Sequence, residues 1–225
     1  AAQAAAHDEP LHRALAHRAL GSSLFFLGRF AESLDETDQA VAIDDALDGS
    51  DGERTQLFLY GERPGIIARL YGGWALWFLG FPDRAVARFD ADIALAEKLG
   101  HAYSLAFALT FAAGMRNDRR DFAVALSCAE AASRIAAKHD FPLWMSESAI
   151  AKGFAEASLG HHAEGIEQLR SGISGLQRMG DFHHRSHWLG LLAAAYLDAG
   201  AYGDALMALN EALEVVAVTQ ERYFA

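Results

Sequence analysis

Cysteine is nearly missing: Cys128 stands alone in 225 residues. One thiol closes no disulfide within the chain and builds no zinc ribbon or iron–sulfur cage, so a reducing, cytoplasmic setting is expected. Proline is scarce, at four residues, and Val, Ile and Thr are thin, which argues against a sheet protein. No apolar run nears the ~18–20 residues of a membrane span; the densest, Leu191 to Leu197, is seven long. The opening alanines lack the basic lead-in and long apolar core of a secretory signal. Cations are outnumbered, with 19 Lys and Arg against 30 Asp and Glu and a net charge of −11. The clustered charge needed to bind phosphates is absent, so neither a nucleic-acid partner nor a membrane is expected. Alanine, the best helix former, is abundant at 46 residues. At 52% hydrophobic and 22% charged the chain is too apolar for disorder, and its expected class is all-α.

The helix breakers are periodic. Leu27-Gly28-Arg29-Phe30, Leu79-Gly80-Phe81-Pro82, Leu159-Gly160-His161-His162 and Ala199-Gly200-Ala201-Tyr202 each divide two apolar helical runs. Asp118-Arg119-Arg120-Asp121-Phe122 fills the same slot without glycine. With Gly28, Gly80, Arg120, Gly160 and Gly200 as equivalents the intervals are 52, 40, 40 and 40 residues, the signature of a helical array. Each unit reads as a helix, a left-handed turn and a second helix. A small residue follows each turn (Ser33, Ala85, Ala125, Gly165, Ala205), where it lets two helices approach closely. Phe89, Leu169 and Leu209 come one turn later on the same face. Phe30, Phe122 and Tyr202, two places after their turns, can fold back onto the pair. Pro10, Pro64, Pro82 and Pro142 fall at or just before helix starts, where a missing N–H costs little.

The expected organisation is a single domain over 1–225, with repeats at 11–47, 64–100, 102–139, 143–180 and 183–219. Residues 48–63 form an insertion loop whose apolar Leu57-Phe58-Leu59-Tyr60 would pack against a helix pair. Long ordered loops carry function more often than short ones, which makes Tyr60, Arg63 and Pro64 candidate surface residues. Residues 220–225 read as the opening of a further helix cut short, as in a piece of a longer chain.

Little here points to chemistry. His183 and His187, four apart on an expected helix, would point two imidazoles the same way. They would bind a transition metal only with a third ligand such as His161 or His162; the plainer reading is a polar helix start. Eight carboxylates and no cation lie between Asp35 and Glu53. Their spacing lacks the alternation and terminal Glu of a calcium loop, and a solvated face is expected. Cys128 sits inside a repeat helix and reads as a small core residue. No nucleophile elbow and no phosphate-binding loop are present, so no cofactor and no enzyme activity are expected.

The repeats resemble tetratricopeptide repeats (TPR) in the lengthened form of large bacterial signalling proteins. A closer resemblance rests on Tyr60-Gly61-Glu62-Arg63-Pro64-Gly65, Trp74-Ala75-Leu76-Trp77-Phe78-Leu79-Gly80-Phe81-Pro82-Asp83-Arg84-Ala85, Leu99-Gly100-His101-Ala102-Tyr103-Ser104 and Phe141-Pro142-Leu143-Trp144. These look like the C-terminal TPR region of predicted ATPases fused to class III adenylate or guanylate cyclase domains. Arg63 stands where that family usually has Asp. The resemblance implies a right-handed superhelical α-solenoid of about five helix pairs, whose first helices line a concave face. Arg18, Ser22, Phe25, Leu70, Trp74, Trp77, Thr110 and Phe154 would face that groove or its floor. The Lys/Asn clamp of chaperone-tail readers is missing. Cyclase or ATPase chemistry would lie in other domains. The expected role is a non-catalytic docking or sensor arm for a protein, a peptide or another domain of its own chain. The alternative is a small-ligand or peptide sensor working through the groove. Pairing of two copies through the last helix is a further expectation.

Overall fold

The computed structural model describes residues 10–47 and 64–223. They form ten helices: α1 (Pro10–Phe26), α2 (Phe30–Ala46), α3 (Pro64–Phe78), α4 (Pro82–Leu99), α5 (Ala102–Asp118), α6 (Phe122–His139), α7 (Pro142–Ser158), α8 (His162–Met179), α9 (Arg185–Asp198) and α10 (Tyr202–Thr219). The expected insertion, with Tyr60 and Arg63, lies outside the described residues; Pro64 opens α3 and is buried. No described helix is long and apolar enough to cross a membrane.

The five turn residues are all left-handed: Gly28 (φ +73°), Gly80 (+85°), Arg120 (+65°), Gly160 (+99°) and Gly200 (+75°). Each closes a helix end with paired backbone bonds. At Gly28 the glycine N–H donates to the Phe25 carbonyl and the Arg29 N–H to that of Leu24, both at 2.9 Å. At Arg120 its own N–H donates to the Asn117 carbonyl (2.9 Å) and the Asp121 N–H to that of Arg116 (2.8 Å). A left-handed arginine costs about 1 kcal/mol that glycine does not. A second left-handed series, Gly100, Asp140 and Gly180, separates one helix pair from the next, and the left-handed Gln220 ends the last.

Two compact units divide the chain. One holds the residues up to Ser104 together with the segment from Glu221, the other Leu105–Gln220. In the first unit, α1 and α2 touch where Gly21 faces Thr37, and the buried Ser33 hydroxyl donates to the Gly21 carbonyl at 2.8 Å. Gly73 on α3 lets the Phe89 ring of α4 lie against the backbone. Phe25 gathers Phe26, Phe30, Tyr71 and Phe78 at ring separations of 5.5 to 5.9 Å. The unit also buries charge: Arg69 lies between Asp44, Asp45 and Asp92, with the fully buried Asp44 and Asp92 each 3.7 Å away.

In the second unit, α7 and α8 meet through Gly153, Gly165 and Gly172, each facing backbone of the opposite helix. Ile150, Leu169, Ile173, Leu176, Trp188 and Leu192 fill the core beside that seam, and each buried aliphatic side chain is worth about 2 kcal/mol. Phe107 stacks on Trp144 at 4.5 Å. Ala113, Ala129 and Ala151 form a second seam, with Cys128 half-buried against it.

Two features depart from expectation. α9 begins at Arg185 rather than 183, because His184 takes a left-handed conformation (φ +53°) as its N-cap. Among the described residues, the segment after α10 opens no helix: Gln220 ends α10 in the left-handed region, and residues 221 and 222 carry no helical structure.

Candidate functional site

The strongest candidate lies in the second unit, at the C-terminal ends of α5, α7 and α9. A cavity of about 500 Å³ opens there, lined by Asn117 and Asp118 of α5, Arg120 of the turn, Phe122 of α6, Phe154 and Ser158 of α7, and Ala194, Leu197 and Asp198 of α9. The α5 helix delivers Asn117 and Asp118 at its last turn, just before the left-handed Arg120 ends it. Phe122 meets Phe154 edge to face at 6.3 Å, giving the cavity an aromatic wall.

Asn117 is 3% exposed. Its Nδ2 donates to the Ala151 carbonyl on α7 at 2.8 Å. Its Oδ1 is buried without a hydrogen-bond partner, a state that costs about 1–3 kcal/mol. Beside it, burial pushes the Asp118 carboxyl up to about 7, so near neutral pH it holds its proton about half the time. Arg116 and Arg119 pair with Asp121 at 3.7 and 3.1 Å. Asn117, Asp118, Ser158 and Asp198 make the cavity rich in acceptors, and its chemistry suits a ligand with N–H donors and an apolar body.

A second polar group gathers at the start of α9. Burial pushes the His184 imidazole down to about 3 and that of His187 to about 4, so both rings are neutral near pH 7. His184 lies between Phe111 (6.1 Å) and Trp188 (6.2 Å). Burial, with the negative charge of Asp181, pushes Glu147 on α7 up to about 8. His183 precedes the helix, is well exposed, and bonds Asp181 through its ring at 3.0 Å. The shared helical face expected of His183 and His187 is therefore broken by the turn at His184. Among the described residues no three His, Cys, Asp or Glu side chains gather as a metal site would.

Of the expected groove residues, Phe154 lines the cavity and Trp77 is half-buried. Leu70 is fully buried, and Trp74 packs on Phe78 and Phe89. Thr110 is buried, with its hydroxyl donating to the Ala106 carbonyl at 2.8 Å. Ser22 likewise spends its hydroxyl on the Arg18 carbonyl at 3.0 Å, and Arg18 is half-buried. Phe25, 2% exposed, is the hub of the first unit's aromatic cluster. Asn117 and Asp118 were missed, because a polar pair closing an apolar helix reads as the start of a turn.

The fold is a TPR-like, all-α helix-pair solenoid of about five repeats. No family model matches the chain, and no curated protein does. Among solved structures it is similar to a Rap protein complexed with competence and sporulation factor, at 16% identity and a TM-score of 0.71, over 95% of this chain and 55% of that one. It is similar to aspartyl phosphate phosphatase F from Bacillus subtilis, at 12% identity and 0.65, over 92% and 61%. It also resembles a putative kinesin light chain of Podospora anserina with nearly identical TPR-like repeats, at 18% and 0.57, over 96% and 100%. This chain thus spans 55% of the length of the Rap protein.

Proposed function

We propose that this chain is a regulatory repeat domain that reads a peptide or small ligand in the cavity at the ends of α5, α7 and α9. The reading rests on the Asn117 side chain, whose buried Oδ1 has no partner beside an aromatic wall. A ligand N–H placed on that oxygen recovers the desolvation cost, while its apolar part lies on Phe122 and Phe154. The Rap protein of the same fold, solved with competence and sporulation factor, supports a ligand-binding use of such an array. The role fits a sensor arm that acts on another domain of a larger bacterial signalling protein, with any cyclase or ATPase chemistry outside this segment.

Native mass spectrometry of the protein purified from its own host tests the reading. A stoichiometric adduct is expected on the parent chain and at most a tenth as much on Asn117→Leu, with helicity unchanged. An adduct of equal occupancy on both, or none on either, overturns it.

A docking role has separate support in α10, where Leu206, Leu209 and Leu213 share one side of the helix and are 62%, 46% and 67% exposed. An apolar face of that kind suits a protein partner or a second copy of the chain.

A further inference from the structure

The segment after α10 does more than end a helix. Tyr223 is 2% exposed, with its ring 5.4 Å from that of Phe25 and 5.2 Å from that of Phe26. Tyr71 backs both phenylalanines at 5.5 and 5.9 Å. The Arg222 N–H donates to the Phe26 carbonyl at 2.9 Å.

That carbonyl is available for a local reason. The left-handed turn at Gly28 uses the carbonyls of Leu24 and Phe25 and leaves that of Phe26 for another donor. Gly28 also makes room, since a Cβ there would lie 3.2 Å from the Arg222 carbonyl oxygen. Aromatic walls, the Phe26 carbonyl that accepts the Arg222 N–H, and a glycine floor together form a site for an extended segment with a tyrosine. At the other end, Gln220 adopts φ +60° to turn the chain out of α10, a conformation that costs a non-glycine residue about 1 kcal/mol.

We infer that the first unit carries a docking site for an extended, tyrosine-bearing segment, and that the chain's own Arg222-Tyr223 fills it as a displaceable ligand. One ring and one backbone bond give weak affinity as a free peptide. Covalent attachment raises the effective concentration to about the millimolar range, enough to keep the segment seated. A competing segment of the same chemistry would expel it. This inference does not depend on the cavity of the second unit.

The test uses the full chain and a capped synthetic peptide of residues 217–223. Hydrogen exchange at the Arg222 amide is expected to be at least tenfold faster in Tyr223→Ala than in the parent. The peptide should bind Tyr223→Ala at least tenfold more tightly than the parent, and a peptide with Ala in place of the tyrosine should not bind. On the parent itself, millimolar peptide should speed exchange at Arg222, a readout that needs no variant to fold. Unchanged Arg222 exchange in the parent under excess peptide overturns the inference. So does Tyr223→Ala with intact helicity that takes up no peptide at 1 mM.

Discussion

Gly165→Ala adds one methyl group to the first turn of α8, and the geometry fixes what that methyl meets. A Cβ there would lie 2.5 Å from the Ala157 nitrogen and 2.5 Å from the Gly153 carbonyl oxygen, against an ordinary contact of 3.4 Å or more. Both obstacles are backbone of α7, so no side chain can rotate away. Lifting α8 would also open its close approach to α7 at Gly172, where a Cβ would lie 2.6 Å from the Ser146 carbonyl oxygen and from an Ile150 side-chain carbon. Overpacking of this kind costs about 1–3 kcal/mol, and an immovable backbone places it at the upper end. Alanine returns about 1 kcal/mol of helix propensity, leaving a net loss of about 2 kcal/mol. Gly190 in α9 is the control, since a Cβ there meets nothing within 4 Å. Gly190→Ala should gain about 0.5–1 kcal/mol. In urea, with a slope of about 2 kcal/mol per molar, the midpoint should fall by about 1 M for Gly165→Ala and rise by about 0.3–0.5 M for Gly190→Ala. Midpoints that move in the same direction would refute the backbone-contact argument.

Arg69→Met should cost about 3 kcal/mol at pH 9, where Asp92 is mostly ionised and loses the cation it shares with Asp44. The loss should shrink at pH 6, below the value of about 8 to which burial raises Asp92, since a protonated carboxyl needs no cation; thermal melts at the two pH values check this. Glu147, raised to about 8, takes up a proton on folding, so its contribution is full below pH ~4.5 and is lost as pH rises to 8. Glu147→Gln should therefore gain about 1–2 kcal/mol relative to the parent between pH 5 and 8.5, as the side chain keeps some solvent contact; a flat difference across that range would contradict the assignment. On α10, the pair Leu206→Glu and Leu213→Lys should abolish any concentration-dependent association seen by light scattering while leaving the melting temperature within about 2 °C, because both side chains are already in solvent.

The local features of the fold were legible for local reasons. A glycine or its substitute between apolar runs marks a left-handed turn, and the 40-residue spacing identified Arg120 as a turn residue without the composition cue. Ser33, Ala85, Ala125 and Gly165 are buried where the same register places small residues. The second turn series was harder to see, because Asp140 does for it what glycine does elsewhere. Leu209 shares the register of the buried Leu169 yet is 46% exposed, since burial depends on a neighbouring pair and not on the helix that carries the residue. The site suffered most from this limit. Periodicity shows that Leu70 and Thr110 lie on apolar faces, but not which of two neighbours each face meets. Tyr223 was unreadable for the same reason: its partners are near residue 25, almost the full chain away.

Asn117 has a consequence for how occupancy could be felt beyond the cavity. Its amide group belongs to two structures at once, since Nδ2 fastens α5 to the Ala151 carbonyl of α7 and Oδ1 awaits a donor. One rigid plane joins the two atoms, so under the proposed ligand reading a donor that drew the oxygen toward itself would also reorient the bond that ties α5 to α7. Detection and transmission would then share a single side chain, with no intervening relay.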